Sequence, residues 1–195
     1  MALLSPRRSV TLPFLMIALP ATFVLFQGGQ YCGSFCFQPT FSGVVALAGV
    51  LVGTYVFASV TTAVLGLSTR WEGTRLQRWL LTPSRPAVGV VLALFGVFLL
   101  ALTADSLDLY EAVWKPMLLP LSFPLFAPVW VLYGVTFPLS VVFSVASVES
   151  TPAIRLVVRA TIVVVGFSLS AVWQTLIVSI LVDGLGLDQG SAATS

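Results

Sequence analysis

Residues 8–70 read RSVTLPFLMIALPATFVLFQGGQYCGSFCFQPTFSGVVALAGVLVGTYVFASVTTAVLGLSTR, two arginines with no charged side chain between them. Soluble domains carry about 25% charged residues, so a run of this length with none must meet something other than water. A helix needs about 20 apolar residues to cross bilayer hydrocarbon. The run holds two such lengths, 10–26 and 43–67, separated by a glycine-rich polar stretch at 27–40, and reads as a membrane hairpin. A cleaved signal peptide is disfavoured for the first length, because it is longer than the usual apolar core of such peptides and Gln27-Gly28-Gly29-Gln30-Tyr31 follows it.

Working outward, the pattern repeats over all 195 residues, which are 58% hydrophobic and 8% charged with a mean hydropathy of +1.05. Uncharged runs recur at 87–104, 126–148 and 160–182, each bounded by charge, glycine or proline. The expected fold is all-α, a polytopic membrane helix bundle with five transmembrane helices, forming a single integral membrane domain over 1–195. Arg7 and Arg8 precede the first run, Arg70, Arg75, Arg78 and Arg85 follow the second, and Arg155 and Arg159 follow the fourth, whereas the alternate loops hold only Lys115. Basic residues stay on the cytoplasmic side, which places the N-terminus inside and, after five crossings, the C-terminus outside. The expected location is the cell membrane, as a multi-pass protein.

Two connecting stretches have the pattern of short interfacial helices. Leu76, Trp79 and Leu80 share one face while Arg75, Gln77 and Arg78 point elsewhere, as in a basic helix lying on an anionic leaflet. Leu107, Tyr110 and Trp114 recur at helical spacing in the next loop.

Several function classes lose support. Histidine is absent, which removes the commonest metal ligand and the usual general base near neutral pH; no metal site and no cofactor are expected. The net charge of +2 is spread over patches that flank apolar runs, so orientation explains it and no nucleic-acid partner is expected. Every formal charge falls at a boundary or in a loop, which disfavours proton coupling through the membrane.

The sharpest local anomaly is Pro116, Pro120, Pro124 and Pro128, one proline every four residues. In a helix each would lack the N–H that should bond the carbonyl of the proline before it. A regular helix over 116–128 is therefore not expected, and this part is placed in the outer interface or as a short re-entrant segment. Carbonyls released there must meet protein, water or an ion, and broken helices of this kind build the sites of several transporters. Phe123, Phe126, Trp130, Tyr133 and Phe137 form an aromatic stripe beside the prolines, with Ser140, Ser144 and Ser147 continuing the register. Gln174 is the one strongly polar side chain near the middle of an expected span, with Thr161, Ser168, Thr175 and Ser179 along the same run. The candidate pocket or broken-helix site is thus Pro116, Pro120, Pro124, Pro128, Trp130, Tyr133 and Gln174.

Gly49, Gly53, Ala58, Thr62 and Gly66 in the second run and Gly89 and Ala93 in the third are small residues of the kind that let helices approach closely. Cys32 and Cys36, in the outer turn of the hairpin, are a possible disulfide. Three readings follow: a non-catalytic subunit or scaffold of a membrane complex or homo-oligomer; a minimal transporter or channel subunit using the 116–128 segment; or a membrane thiol-disulfide oxidoreductase using Cys32 and Cys36. The partners expected are the lipid bilayer and other membrane helices, or further copies of the chain.

Overall fold

A computed structural model describes residues 7–27, 40–66, 73–106, 124–132, 134–136 and 152–187, which are helical with no strand. A 3-10 turn at Arg8–Val10 leads into α1 (Thr11–Gln27), followed by α2 (Phe41–Leu65), the short α3 (Arg75–Leu81), α4 (Arg85–Ser106) and the long α5 (Pro152–Gly184). Among the described residues four stretches are long and apolar enough to cross a bilayer: Arg8–Phe26, Phe41–Leu65, Arg85–Ala104 and Val157–Gly184. Many of their residues are valines, poor helix formers in water. Hydrocarbon offers backbone groups no other partner, so a helix, which bonds them internally, is what such sequences adopt there.

Local chemistry marks the helix ends. The Thr40 hydroxyl accepts from the Gly43 amide at the start of α2, and Gly66, at φ 53°, closes it in the left-handed conformation that glycine adopts without strain. Thr74 caps α3 by accepting from the Gln77 amide at 3.2 Å, and the Gln77 side chain accepts from the Gly73 amide at 3.1 Å, a variant of the reciprocal capping box. The 33 residues of α5 make ~50 Å of helix, more than the roughly 30 Å of bilayer hydrocarbon. It therefore begins eight residues before the expected span and carries Arg155 and Arg159 in its first turns. Charge limits the part of a helix that hydrocarbon can hold, not the helix itself.

α1 is the centre of the bundle, packed between α2 and α5, with α4 in the groove between α1 and α5. Leu12, Leu15, Ala18 and Leu19 of α1 meet Ala87, Val91 and Phe95 of α4 and Phe167, Ala171, Val178 and Val182 of α5. Phenylalanines fill the middle: Phe167 lies 4.8 Å from Phe23, 6.0 Å from Phe98 and 5.7 Å from Phe126 between ring centroids.

The direction of α5 departs from the sequence expectation. The Arg8–Val10 turn touches both α2 and α3, and α3 in turn is bonded to the C-terminal end of α5 through Arg78 and Asp183, 2.9 Å apart. The start of α1 and the end of α5 thus share one end of the bundle, whereas five crossings would put them at opposite ends. Arg155 and Arg159 consequently fall at the other end from Arg7, Arg8, Arg75, Arg78 and Arg85. The fourth expected span, 126–148, is described only as far as Thr136; it is helical over 127–132 and 134–136, and a bend at Phe126 separates it from a helical piece at 124–125.

Candidate functional site

The bend at Phe126 follows from covalent structure. Pro128 has no N–H, so the Pro124 carbonyl has no helical donor four residues on. The indole Nε1 of Trp173 on α5 donates to that carbonyl at 2.8 Å. The neighbouring Gln174 Nε2 donates to the Leu125 carbonyl at 3.2 Å, and Gln174 is 2% exposed. Trp173 and Gln174 stand about ten residues, ~15 Å, from Asp183 along α5. From there the segment climbs toward the other end of α5, because Val129 and Leu132 pack on Gly166. A Cβ at Gly166 would meet Val129 Cγ2 at 3.3 Å and Leu132 Cδ1 at 3.4 Å, so glycine sets this close approach.

The same device occurs in α1. Pro20 lies inside the helix and leaves the Met16 carbonyl without its helical amide; the Ser168 hydroxyl of α5 donates to it at 3.4 Å, a long bond. Further along α5, Ser179 Oγ donates to the Trp79 carbonyl of α3 at 2.8 Å. Thr161 and Thr175 instead bond their own helix at Val157 and Ala171, the usual way a hydroxyl is accommodated in an apolar span. α5 therefore supplies the side-chain donors that tie α1, α3 and the 124–136 segment together.

The candidate residues separate accordingly. Pro124, Pro128 and Gln174 come together at the bend. Trp130 does not join them: it is 43% exposed and lies on the outer side. Phe126, from the aromatic stripe, packs against Phe98 and Phe167 at 5.3 and 5.7 Å, so its place in the bundle is a filled core and not an open pocket. Pro116, Pro120, Tyr133, Cys32 and Cys36 lie outside the described residues, as do the helix expected around Tyr110 and the serines at 140, 144 and 147. Sequence reasoning passed over two participants, Trp173 and Gly166, and singled out Ser168 without its partner. Trp173 was legible as the neighbour of Gln174, and the Ser168 bond as one required by Pro20. Gly166 is one helical turn before Ser170, a small-residue spacing.

The small residues of α2 lie on two faces. Ala58 and Thr62 are buried with Thr54 against the bundle, while Gly49 and Gly53 face outward with nothing within 4 Å of an added Cβ. Gly89 of α4 is open in the same way. Among the described residues two hydroxyls, Ser59 and Ser170, are buried with no hydrogen-bond partner.

At the end of the bundle where α1 begins, α3 is held by three bonds: Arg78 Nη2 to Asp183 at 2.9 Å, Trp79 Nε1 to the same carboxylate at 3.2 Å, and the Ser179–Trp79 bond. An open depression of about 240 Å³ beside it is lined by Gly73, Thr74, Arg75, Gln77, Arg78 and Thr82. Among the described residues no group of three or more metal-ligating side chains gathers. No protein-family model, curated protein or solved structure matches the chain. It is an α-helical protein with, among the described residues, four helices long and apolar enough to cross a membrane.

Proposed function

We propose that the protein is a multi-pass protein of the cell membrane that acts without chemistry of its own, as a subunit or scaffold of a membrane complex or as a homo-oligomer. One observation carries this reading. The polar groups at the proline bend, where a transporter would present carbonyls to a solute, are taken up by Trp173 and Gln174 of the same chain. The outward Gly49 and Gly53 of α2, flanked by exposed Val45, Val52, Val56 and Phe57, supply the kind of surface on which membrane helices associate. In this reading an even number of passes replaces five. The end bearing Arg7, Arg8, Arg75, Arg78 and Arg85 faces the cytoplasm, and the described chain begins and finishes on that side.

Blue-native electrophoresis and crosslinking in a mild detergent test the proposal. A stable complex or oligomer is expected; a solitary monomer at all protein concentrations, in membranes as well as in detergent, would refute it.

A second reading, a minimal transporter or channel subunit, is favoured by one feature: the chain bends at Phe126 between helical pieces at 124–125 and 127–132, as discontinuous helices do in transporters. It requires solute flux in liposomes that changes when Pro120 and Pro124 are replaced by alanine while insertion stays normal. Absence of flux for a broad panel of ions and small solutes removes it.

A further inference from the structure

Five arginines from three separate stretches meet at one end of the bundle. Arg7 and Arg8 precede α1, Arg75 and Arg78 lie on α3, Arg85 opens α4, and all five are exposed. Asp183 is the carboxylate described at this end, and it engages Arg78. Arg8, Arg75 and Arg85 have no ion-pair partner among the described residues. Arg8 and Arg85 also stand at the first positions of two apolar spans, so their guanidiniums are at the level where hydrocarbon gives way to headgroups.

α3 is not a loose tether here. Its three bonds to α5 fix its orientation, with Leu80 and Leu81 packed on the core. Arg75 and Leu76 are left exposed side by side, Leu76 at 46%. Arg75 and Arg78 line the same open depression together with the hydroxyl residues Thr74 and Thr82. A planar guanidinium presents paired N–H groups that match phosphate oxygens, and Arg78, bonded to Asp183 through Nη2, retains its other N–H groups for a second partner. An exposed cation beside an exposed leucine at a headgroup boundary suits a ligand with an anionic head and an apolar tail.

We propose that this end of the bundle binds the phosphate headgroup of anionic phospholipids, with Arg75 and Arg78 at the α3 depression and Arg8 and Arg85 flanking it. The proposal does not depend on the scaffold reading above, since a transporter with this end would bind the same lipids.

The test uses the full chain, purified in a non-ionic detergent and titrated with phosphatidylglycerol or phosphatidylcholine, with bound lipid read by native mass spectrometry. Each basic residue near an anionic surface contributes about a fivefold preference. Wild type is expected to favour phosphatidylglycerol at least fivefold, Arg75→Gln/Arg85→Gln to lose most of that preference, and Arg159→Gln, at the opposite end, to keep it. The preference should also fall as sodium chloride is raised, a reading that needs no variant. Equal binding of the two lipids by wild type, or an undiminished preference in the double variant, would overturn the proposal. So would displacement of phosphatidylglycerol by inorganic phosphate at equal concentration, which would identify a site for free phosphate instead.

Discussion

Trp173→Phe is the most direct probe of the bend. The substitution keeps an aromatic ring but removes the Nε1–H that reaches the Pro124 carbonyl at 2.8 Å. Pro128 cannot replace the lost donor, and hydrocarbon cannot either. Leaving a carbonyl unsatisfied costs about 1–3 kcal/mol in a protein interior, while cross-helix bonds in membrane proteins average about 0.6 kcal/mol and reach about 1.7. The expected loss is therefore about 1 kcal/mol, roughly fivefold in the folding equilibrium. Pro128→Ala makes the argument specific, because it restores an amide four residues after Pro124. In that background a straightened segment satisfies the carbonyl by itself, and Trp173→Phe should cost less than about 0.3 kcal/mol. Reversible unfolding in mixed micelles, run as a double-mutant cycle over the four proteins, measures the coupling. Equal cost of Trp173→Phe in both backgrounds would refute the view that the proline is what makes the indole necessary.

Gly166→Leu should destabilise by about 1–3 kcal/mol through overpacking, since Val129 and Leu132 already stand at contact distance from a Cβ; unfolding midpoints read this, and an unchanged midpoint would mean the 124–136 segment does not pack there. Ser170→Ala should be neutral or stabilising by up to about 1 kcal/mol, because it removes a buried hydroxyl that has no partner; a loss above that range would reveal a partner. Asp183→Asn weakens a pair whose side chains are 59% and 37% exposed, so its cost to stability is at most about 1 kcal/mol, yet it should loosen α3 and raise protease cleavage near Gly73; cleavage at the wild-type rate would show that Ser179 and apolar packing suffice. Single cysteines at positions 75 and 187, in a chain with Cys32 and Cys36 replaced by serine, should react with an impermeant maleimide from the same side of sealed vesicles; labelling from opposite sides would restore the odd number of crossings.

Much of the fold was legible as pattern. The apolar runs at 10–26, 43–67 and 87–104 correspond to α1, α2 and α4 within about two residues, because a backbone in hydrocarbon has few alternatives to a helix. The two faces of α2 were legible as well: Gly49 and Gly53 are one turn apart, while Ala58, nine residues after Gly49, is half a helical rotation away. The proline ladder identified a carbonyl that must be released at Pro124, and Gln174 stood out as the strongly polar side chain near the middle of an expected span. Which donor met which carbonyl was not legible, since Trp173 and Pro124 are 49 residues apart and nothing local couples them.

Composition and spacing by themselves determined that the chain is helical and apolar enough for a bilayer, where its helices lie, and where they are obliged to break. These are consequences of solvation, acting residue by residue on the backbone. The tertiary structure alone decided the direction of α5. Counting arginines assumes that each uncharged run is a full crossing. The pairing of Arg78 with Asp183, 105 residues apart, shows instead which ends share a face, because two side chains 2.9 Å apart cannot stand on opposite sides of a membrane.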